Sequence, residues 1–213
     1  MKVALDFSIE QRVWERGLTL VAGVDEAGRG CLAGPVVAAA CILPPGCDPL
    51  EGVRDSKLTR RDERAALVEF IRARAVACGV AAASRREIDR LNIRAASVLA
   101  MQRALRRIGA WDYALIDGPL PPEFAGEPAE GIVDGDACSP SIACASILAK
   151  TLRDDLMARL SRRHPEFGWE RNAGYGTRAH REALDRLGPT PHHRRSFRPV
   201  SQLALPFDDG GGG

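Results

Sequence analysis

The chain has 213 residues, 45% hydrophobic and 27% charged, with a formal net charge of +2. That length can bury one substantial core, and that composition excludes a wholly disordered protein. Charges recur every few residues near the N-terminus, which argues against a signal peptide. The longest uncharged stretch, from Cys31 to Cys47, is broken by Gly34, Pro35, Pro44, Pro45 and Gly46, so it cannot cross a bilayer as a helix.

In chain order, the apolar runs 18–27 and 34–43 flank a glycine-rich turn and predict a β-hairpin. A Pro/Gly/Asp-rich loop follows. Thr59 with Asp62 resembles a helix-capping box, and Leu67, Val68 and Ile71 continue at helical spacing. Residues 78–84 predict a third strand. Ser84 and Glu87 form a second capping signature, opening one long helix with a stripe from Ile88 through Leu91, Ala95, Val98 and Leu99 to Leu105. Strands are expected at 112–118 and 131–136, and helices at 141–160 and 178–187. Residues 201–213 read as a flexible tail. The pattern predicts an α/β core with a mixed sheet and a C-terminal helical cap.

Charge is unevenly distributed. From Arg159 to Arg198 ten arginines meet four acids, a local charge of +6, whereas the rest carries −4; all four histidines fall in the basic part. An acidic body with a basic flank suits a polyanion approaching a carboxylate-lined site, and equally a solvated arginine-rich helical face. Cys31, Cys41, Cys47, Cys78, Cys138 and Cys144 form no CxxC pair and have no histidine nearby. They read as reduced structural thiols of a cytoplasmic protein rather than as a zinc site.

Asp25, Asp117 and Asp136 each fall at a predicted strand end, the last two directly beside glycine, where α/β sheets gather functional side chains. Glu26 adjoins the first. Taken singly, Asp117 and Asp136 read as turn residues; adjacent acids closing an apolar run at 25–26 fit no turn preference. Carboxylates ~5 Å apart at an effective dielectric of ~20 repel by roughly 3 kcal/mol per pair. A hard divalent cation would offset this, and paired cations are the known device for phosphodiester hydrolysis.

Six ordered motifs carry a resemblance: DEAGRG with GPVVAAA, DSKLT, IDRLNIRAAS, IDG, SILAKTLRD, and GYGT followed by HHRRSF. Together, over about 21–200, they resemble the ribonuclease HII family. The resemblance implies a ribonuclease H-like fold, a mixed five-stranded sheet flanked by helices. It implies hydrolysis of RNA in RNA–DNA hybrids and incision 5′ to single ribonucleotides in duplex DNA, with Mg²⁺ or Mn²⁺. The metal-binding acids carry over to Asp25, Glu26, Asp117 and Asp136. Substrate contacts carry over to Gly28, Arg29, Gly30 and Tyr175, with Lys57 and Lys150 as phosphate contacts. Arg153-Asp154 reads as an ion pair or helix feature, and Arg194 and Arg195 as contacts to nucleic-acid backbone or as anchors of the terminus.

Two positions depart from the family pattern. Asp134 stands where lysine is usual, on the same strand face as Asp136 if both lie on a strand, and Ala173 replaces a lysine before Gly-Tyr. The expected organisation is a catalytic core over 1–158, a basic helical region over 159–200 and the tail. The chain is expected to be monomeric and to have no membrane partner. In the tail, Gln202, Leu203, Leu205 and Phe207 resemble the peptides by which bacterial replication proteins bind the sliding clamp. The competing reading is a non-catalytic, clamp-tethered module that binds nucleic acid.

Overall fold

The computed structural model describes residues 5–47, 53 and 61–203. The chain runs α1 (Ser8–Trp14), β1 (Val21–Ala27), β2 (Val36–Ile42), α2 (Arg61–Arg74), β3 (Ala77–Ala83), α3 (Arg85–Leu91) and α4 (Ile93–Ile108). It continues through β4 (Tyr113–Asp117), β5 (Ala129–Ile132), α5 (Gly135–Cys138), α6 (Pro140–Ser161), α7 (Trp169–Asn172) and α8 (Arg178–Leu187). The strands form one sheet in the order β3-β2-β1-β4-β5. β1–β2 and β2–β3 are antiparallel; β1–β4 and β4–β5 are parallel.

β2 explains the layering. It is apolar throughout and buried throughout. Successive strand side chains point to opposite faces, so such a strand needs cover on both. Val36, Ala38, Ala40 and Ile42 join one core with Ala96, Ala100 and Ala104 of α4. Val37, Ala39 and Cys41 join a second with Ala143, Cys144 and Leu148 of α6. Small residues let the helices approach the sheet closely. A Cβ on Gly79 would lie 2.4 Å from the Ala104 carbonyl oxygen, and one on Gly23 would lie 2.1 Å from the Ser141 carbonyl carbon. The C-terminal cap has its own core, where Phe167, Trp169, Leu184 and Val200 pack on Leu32, Ala33 and Met157.

The hairpin, the third strand and the helices over 141–160 and 178–187 form as the periodicity predicts. Two elements differ. The long helix expected from Ser84 is two helices. Ser84 does close a capping box with Glu87, but the chain breaks at Asn92 (φ 69°, ψ 166°), whose side chain accepts from the Ala95 N–H and starts α4. Asparagine tolerates positive φ and its carbonyl competes with helical bonding. The second difference lies at 131–136. β5 ends at Ile132, Asp134 adopts a left-handed conformation (φ 53°), and Gly135 opens the short α5. Asp134 and Asp136 therefore do not share a strand face, and Asp134 is exposed.

The capping residue Thr59 and the DSKLT segment lie outside the described residues, as do Leu205 and Phe207. Among the described residues no helix is long and apolar enough to cross a membrane. All six cysteines are free thiols; Cys41 and Cys78, opposite each other on β2 and β3, have sulfurs 3.8 Å apart.

Candidate active site

The parallel register of β1 and β4 pairs Val24 with Ile116, so the next residues, Asp25 and Asp117, fall side by side. Asp25 lies within β1, facing α6, and is 7% exposed. It accepts from the Glu26 N–H at 2.6 Å and from the Ser146 hydroxyl. Burial pushes its carboxyl up to about 7, and the charges of Glu26 and Asp117 add to the rise. Glu26 is also raised, first by burial and further by Asp117; Arg29 opposes this with its Nη1 2.9 Å from Glu26 Oε1. Asp136 joins through its backbone, its N–H donating to Asp117 Oδ1 at 3.3 Å. Gly135 makes this approach possible, since a Cβ there would meet Ile142 Cδ1 at 2.6 Å and Asp117 Oδ1 at 3.2 Å.

Asp25, Glu26 and Asp117, up to 92 positions apart in sequence, thus act on one another where β1 and β4 lie side by side, and Asp136 at the start of α5 reaches Asp117 through its backbone. Among the described residues no three His, Cys, Asp or Glu side chains are already gathered tightly enough to form a ready-made metal-binding group. The donor set nevertheless fits a hard cation. It is all oxygen, it carries excess negative charge in a desolvated place, and the Arg29 guanidinium already serves Glu26 as a counter-charge.

Beside the acids lies a cleft of about 350 Å³ lined by Glu26, Gly28, Arg29, Gly30, Arg64, Ser146, Lys150 and Tyr175. A second hollow of about 330 Å³ runs from Glu26 and Arg29 to Asp117 and Arg94. A larger cavity, about 620 Å³, sits between α2, β3 and α6 and touches none of the four acids; volume alone does not make a reaction centre. The two loop glycines differ in their surroundings. Gly28 has φ +94°, and a Cβ there would fall 1.8 Å from Arg153 Nε, so its constraint comes from the protein interior. At Gly30 the nearest atom is Tyr175 Cε1 at 3.9 Å, which leaves open space between loop and ring for a ligand to approach. Tyr175 is 44% exposed. Lys150 lines the same cleft, its ammonium 2.9 Å from Asp154 and 5.9 Å from the centre of the Tyr175 ring. Lys57 lies outside the described residues.

Of the two readings of Arg153-Asp154, an ion pair or a helix feature, a pair between the two residues themselves is not made. Asp154 instead holds Lys150 and Arg64, while Arg153 turns inward and donates to the carbonyls of Ala33, Pro35 and Ala173. Neighbours on a helix point in different directions, so adjacency there is a poor guide to pairing. Arg194 is fully buried and so cannot touch nucleic acid, whereas Arg195 is exposed. Arg64, Ser146 and Asp154 were not legible as site residues. Arg64 sits in a charge-rich helical run that reads as a solvated face, and Ser146 and Asp154, although they open and close the SILAKTLRD motif, carried no assigned site role.

An acid cluster at the junction of two parallel strands, on a five-stranded mixed sheet covered by helices, defines a nuclease of the ribonuclease H-like fold. The ribonuclease HII family profile matches residues 22–200. A ribonuclease HII from Thermosynechococcus vestitus is 55% identical over 193 residues, covering 91% of this chain and 90% of its own. One from Ruegeria pomeroyi is 52% identical over 199 residues, covering 93% and 84%. The chain belongs to the ribonuclease HII family. Among solved structures, ribonuclease H2 from Pyrococcus horikoshii OT3 superposes with a TM-score of 0.71 at 24% identity, covering 86% of this chain and 96% of that one. The PCNA:RNase HII complex from Archaeoglobus fulgidus gives 0.66 at 28% identity, covering 78% and 87%.

Proposed function

We propose that this ribonuclease cleaves the RNA strand of RNA–DNA hybrids and nicks duplex DNA on the 5′ side of a single embedded ribonucleotide, leaving 5′-phosphate and 3′-hydroxyl ends. The observation that carries the reading is the single cleft that brings Glu26 and the open face of Gly30 together with the ring of Tyr175, beside Asp25 and Asp117. Asp25, Glu26, Asp117 and Asp136 would hold Mg²⁺ or Mn²⁺. A pair of such ions, when bound, supplies an activated water on one side of the scissile phosphate and charge neutralisation on the other.

The chain's own residues do the rest. Ser146 and the Glu26 N–H orient the Asp25 carboxylate, and the Asp136 N–H orients that of Asp117. Arg29, 57% exposed, is free to leave Glu26 for a phosphate, and Lys150 and Arg64 line the approach to the same cleft. The loop at 28–30 meets the ribose, whose 2′-hydroxyl distinguishes RNA from DNA at one nucleotide. The Tyr175 ring packs on the neighbouring sugar. The exposed position of Asp134 favours Asp136 as the fourth acid, since Asp134 need not compete for the same space.

A 5′-labelled duplex with one ribonucleotide tests the reading. Asp117→Asn should abolish metal-dependent nicking and leave binding largely intact; wild-type protein that binds without ever nicking would overturn it. Of the tail residues, Leu203 packs against the C-terminal core next to the turn at Val200–Gln202. The Archaeoglobus fulgidus chain was solved with PCNA, and Gln202, Leu203, Leu205 and Phe207 are the candidates for a comparable clamp contact here. Deleting 202–213 should end co-elution with the clamp and spare nicking of short duplexes. Co-elution that survives the deletion rules the tail out.

A further inference from the structure

Two buried arginines lie beneath the 28–35 loop, held by carbonyls rather than by carboxylates among the described residues. Arg194 is 0% exposed and Arg153 1% exposed, and among the described residues neither has a carboxylate within 4.0 Å. A buried cation is costly unless its N–H groups are satisfied. Here carbonyl oxygens satisfy them. Arg194 donates through Nη2 to Gly28 and Pro35 (2.7 and 3.2 Å), through Nη1 to Arg29 (2.7 Å) and through Nε to Gly34 (3.0 Å). Arg153 donates to Ala33 and Pro35, and also to Ala173, two residues before Tyr175. One planar guanidinium thus grips both ends of the loop, a geometry that an ammonium cannot reproduce.

The consequence is a loop whose carbonyls at 28 and 29 are already engaged. The Gly28 and Arg29 carbonyls are turned inward and occupied, while among the described residues the Arg29 and Gly30 N–H groups have no acceptor. Both residues line the cleft. We propose that Arg194, backed by Arg153, is a positioning residue for ribose recognition. By taking the Gly28 and Arg29 carbonyls it leaves the Arg29 and Gly30 N–H groups as the donors this stretch offers a ligand, so the 2′-hydroxyl is read through its oxygen lone pairs. This rests on the ribonucleotide reading above and adds to it the residue that sets the polarity of the loop.

The test compares wild type with Arg194→Lys for Kd on two duplexes of one sequence, with and without a single ribonucleotide, in EDTA so that nothing is cleaved. The ribonucleotide preference should fall about tenfold in the variant, the worth of roughly one hydrogen bond, while affinity for all-DNA duplex stays unchanged. General loosening of the fold would weaken both duplexes together and keep their ratio. An unchanged ratio overturns the proposal. Should the variant fail to fold, amide exchange on the wild type decides. The Arg29 and Gly30 amides should be protected by the ribonucleotide duplex and not by the all-DNA one; equal or absent protection overturns the proposal. A wild type that binds both duplexes alike in EDTA, and nicks both alike once Mg²⁺ is added, brings down the functional reading itself, whereas a discriminating wild type beside an equally discriminating variant brings down only the role of Arg194.

Discussion

Lowering the pH from 7 to 4.5 should loosen the C-terminal cap through one buried pair of imidazoles. His180 and His193 are both 0% exposed, with their Nε2 atoms 3.0 Å apart. The neighbours determine the tautomers. The Thr190 N–H donates to His193 Nδ1, so the His193 proton sits on Nε2 and donates to His180 Nε2. Trp169 Nε1–H donates to the same His180 atom, so the His180 proton sits on Nδ1 and donates to the Tyr175 carbonyl at 2.9 Å. Every ring nitrogen is used and both rings are neutral. A further proton on either would set N–H against N–H.

Burial accordingly pulls His193 down to about 3, with His180, His164 and His192 adding to the fall. The sign follows. A depressed folded pKa gives stability that is fully present above 6.5 and is lost as pH falls toward 3. At pH 4.5 the loss relative to pH 7 is about 2.5 kcal/mol from His193 alone, provided its folded pKa lies below 4.5. Urea unfolding at both pH values, for wild type and His193→Gln, isolates this, because carboxylate contributions common to both proteins cancel in the difference. Wild type should lose about 2.5 kcal/mol more than the variant. Equal losses would refute the neutral-pair reasoning, and with it the link from this network to the Tyr175 backbone.

Asp25 should show the opposite sign. Its raised pKa means that, without metal, stability is lost as pH rises from about 4 to about 7, so Asp25→Asn should stabilise metal-free protein at pH 8. The upper limit is about 4 kcal/mol, the gain should vanish below pH 4, and chemical denaturation in EDTA reads both. Gly23→Ala should cost about 3 kcal/mol or prevent folding, because backbone on both sides leaves the new methyl nowhere to go; a melting temperature close to wild type would show that α6 can retreat from the sheet.

Much of this architecture is written locally. The unbroken apolar run of β2, the Ser84–Glu87 capping box and the amphipathic stripe of α8 are short-range patterns, and each formed where the local sequence placed it. The four candidate acids stood out for a different reason: ordered motifs carried them, although single Asp-Gly pairs could not be told from turns. The break at Asn92 and the left-handed Asp134 were missed because one residue's positive φ leaves no periodic trace in the neighbouring sequence.

Sequence by itself therefore determined most of the strands and longer helices and their order, since these depend on contacts between residues a few positions apart, and its ordered motifs supplied the candidate acids. Only the tertiary structure decided that Arg194 binds carbonyls 159 to 166 positions away, that His180 and His193 share one proton-ordered network, and that Asp154 serves Lys150 and Arg64 rather than Arg153. A buried polar group must find its partner wherever folding delivers one, and that choice is made in space rather than along the chain.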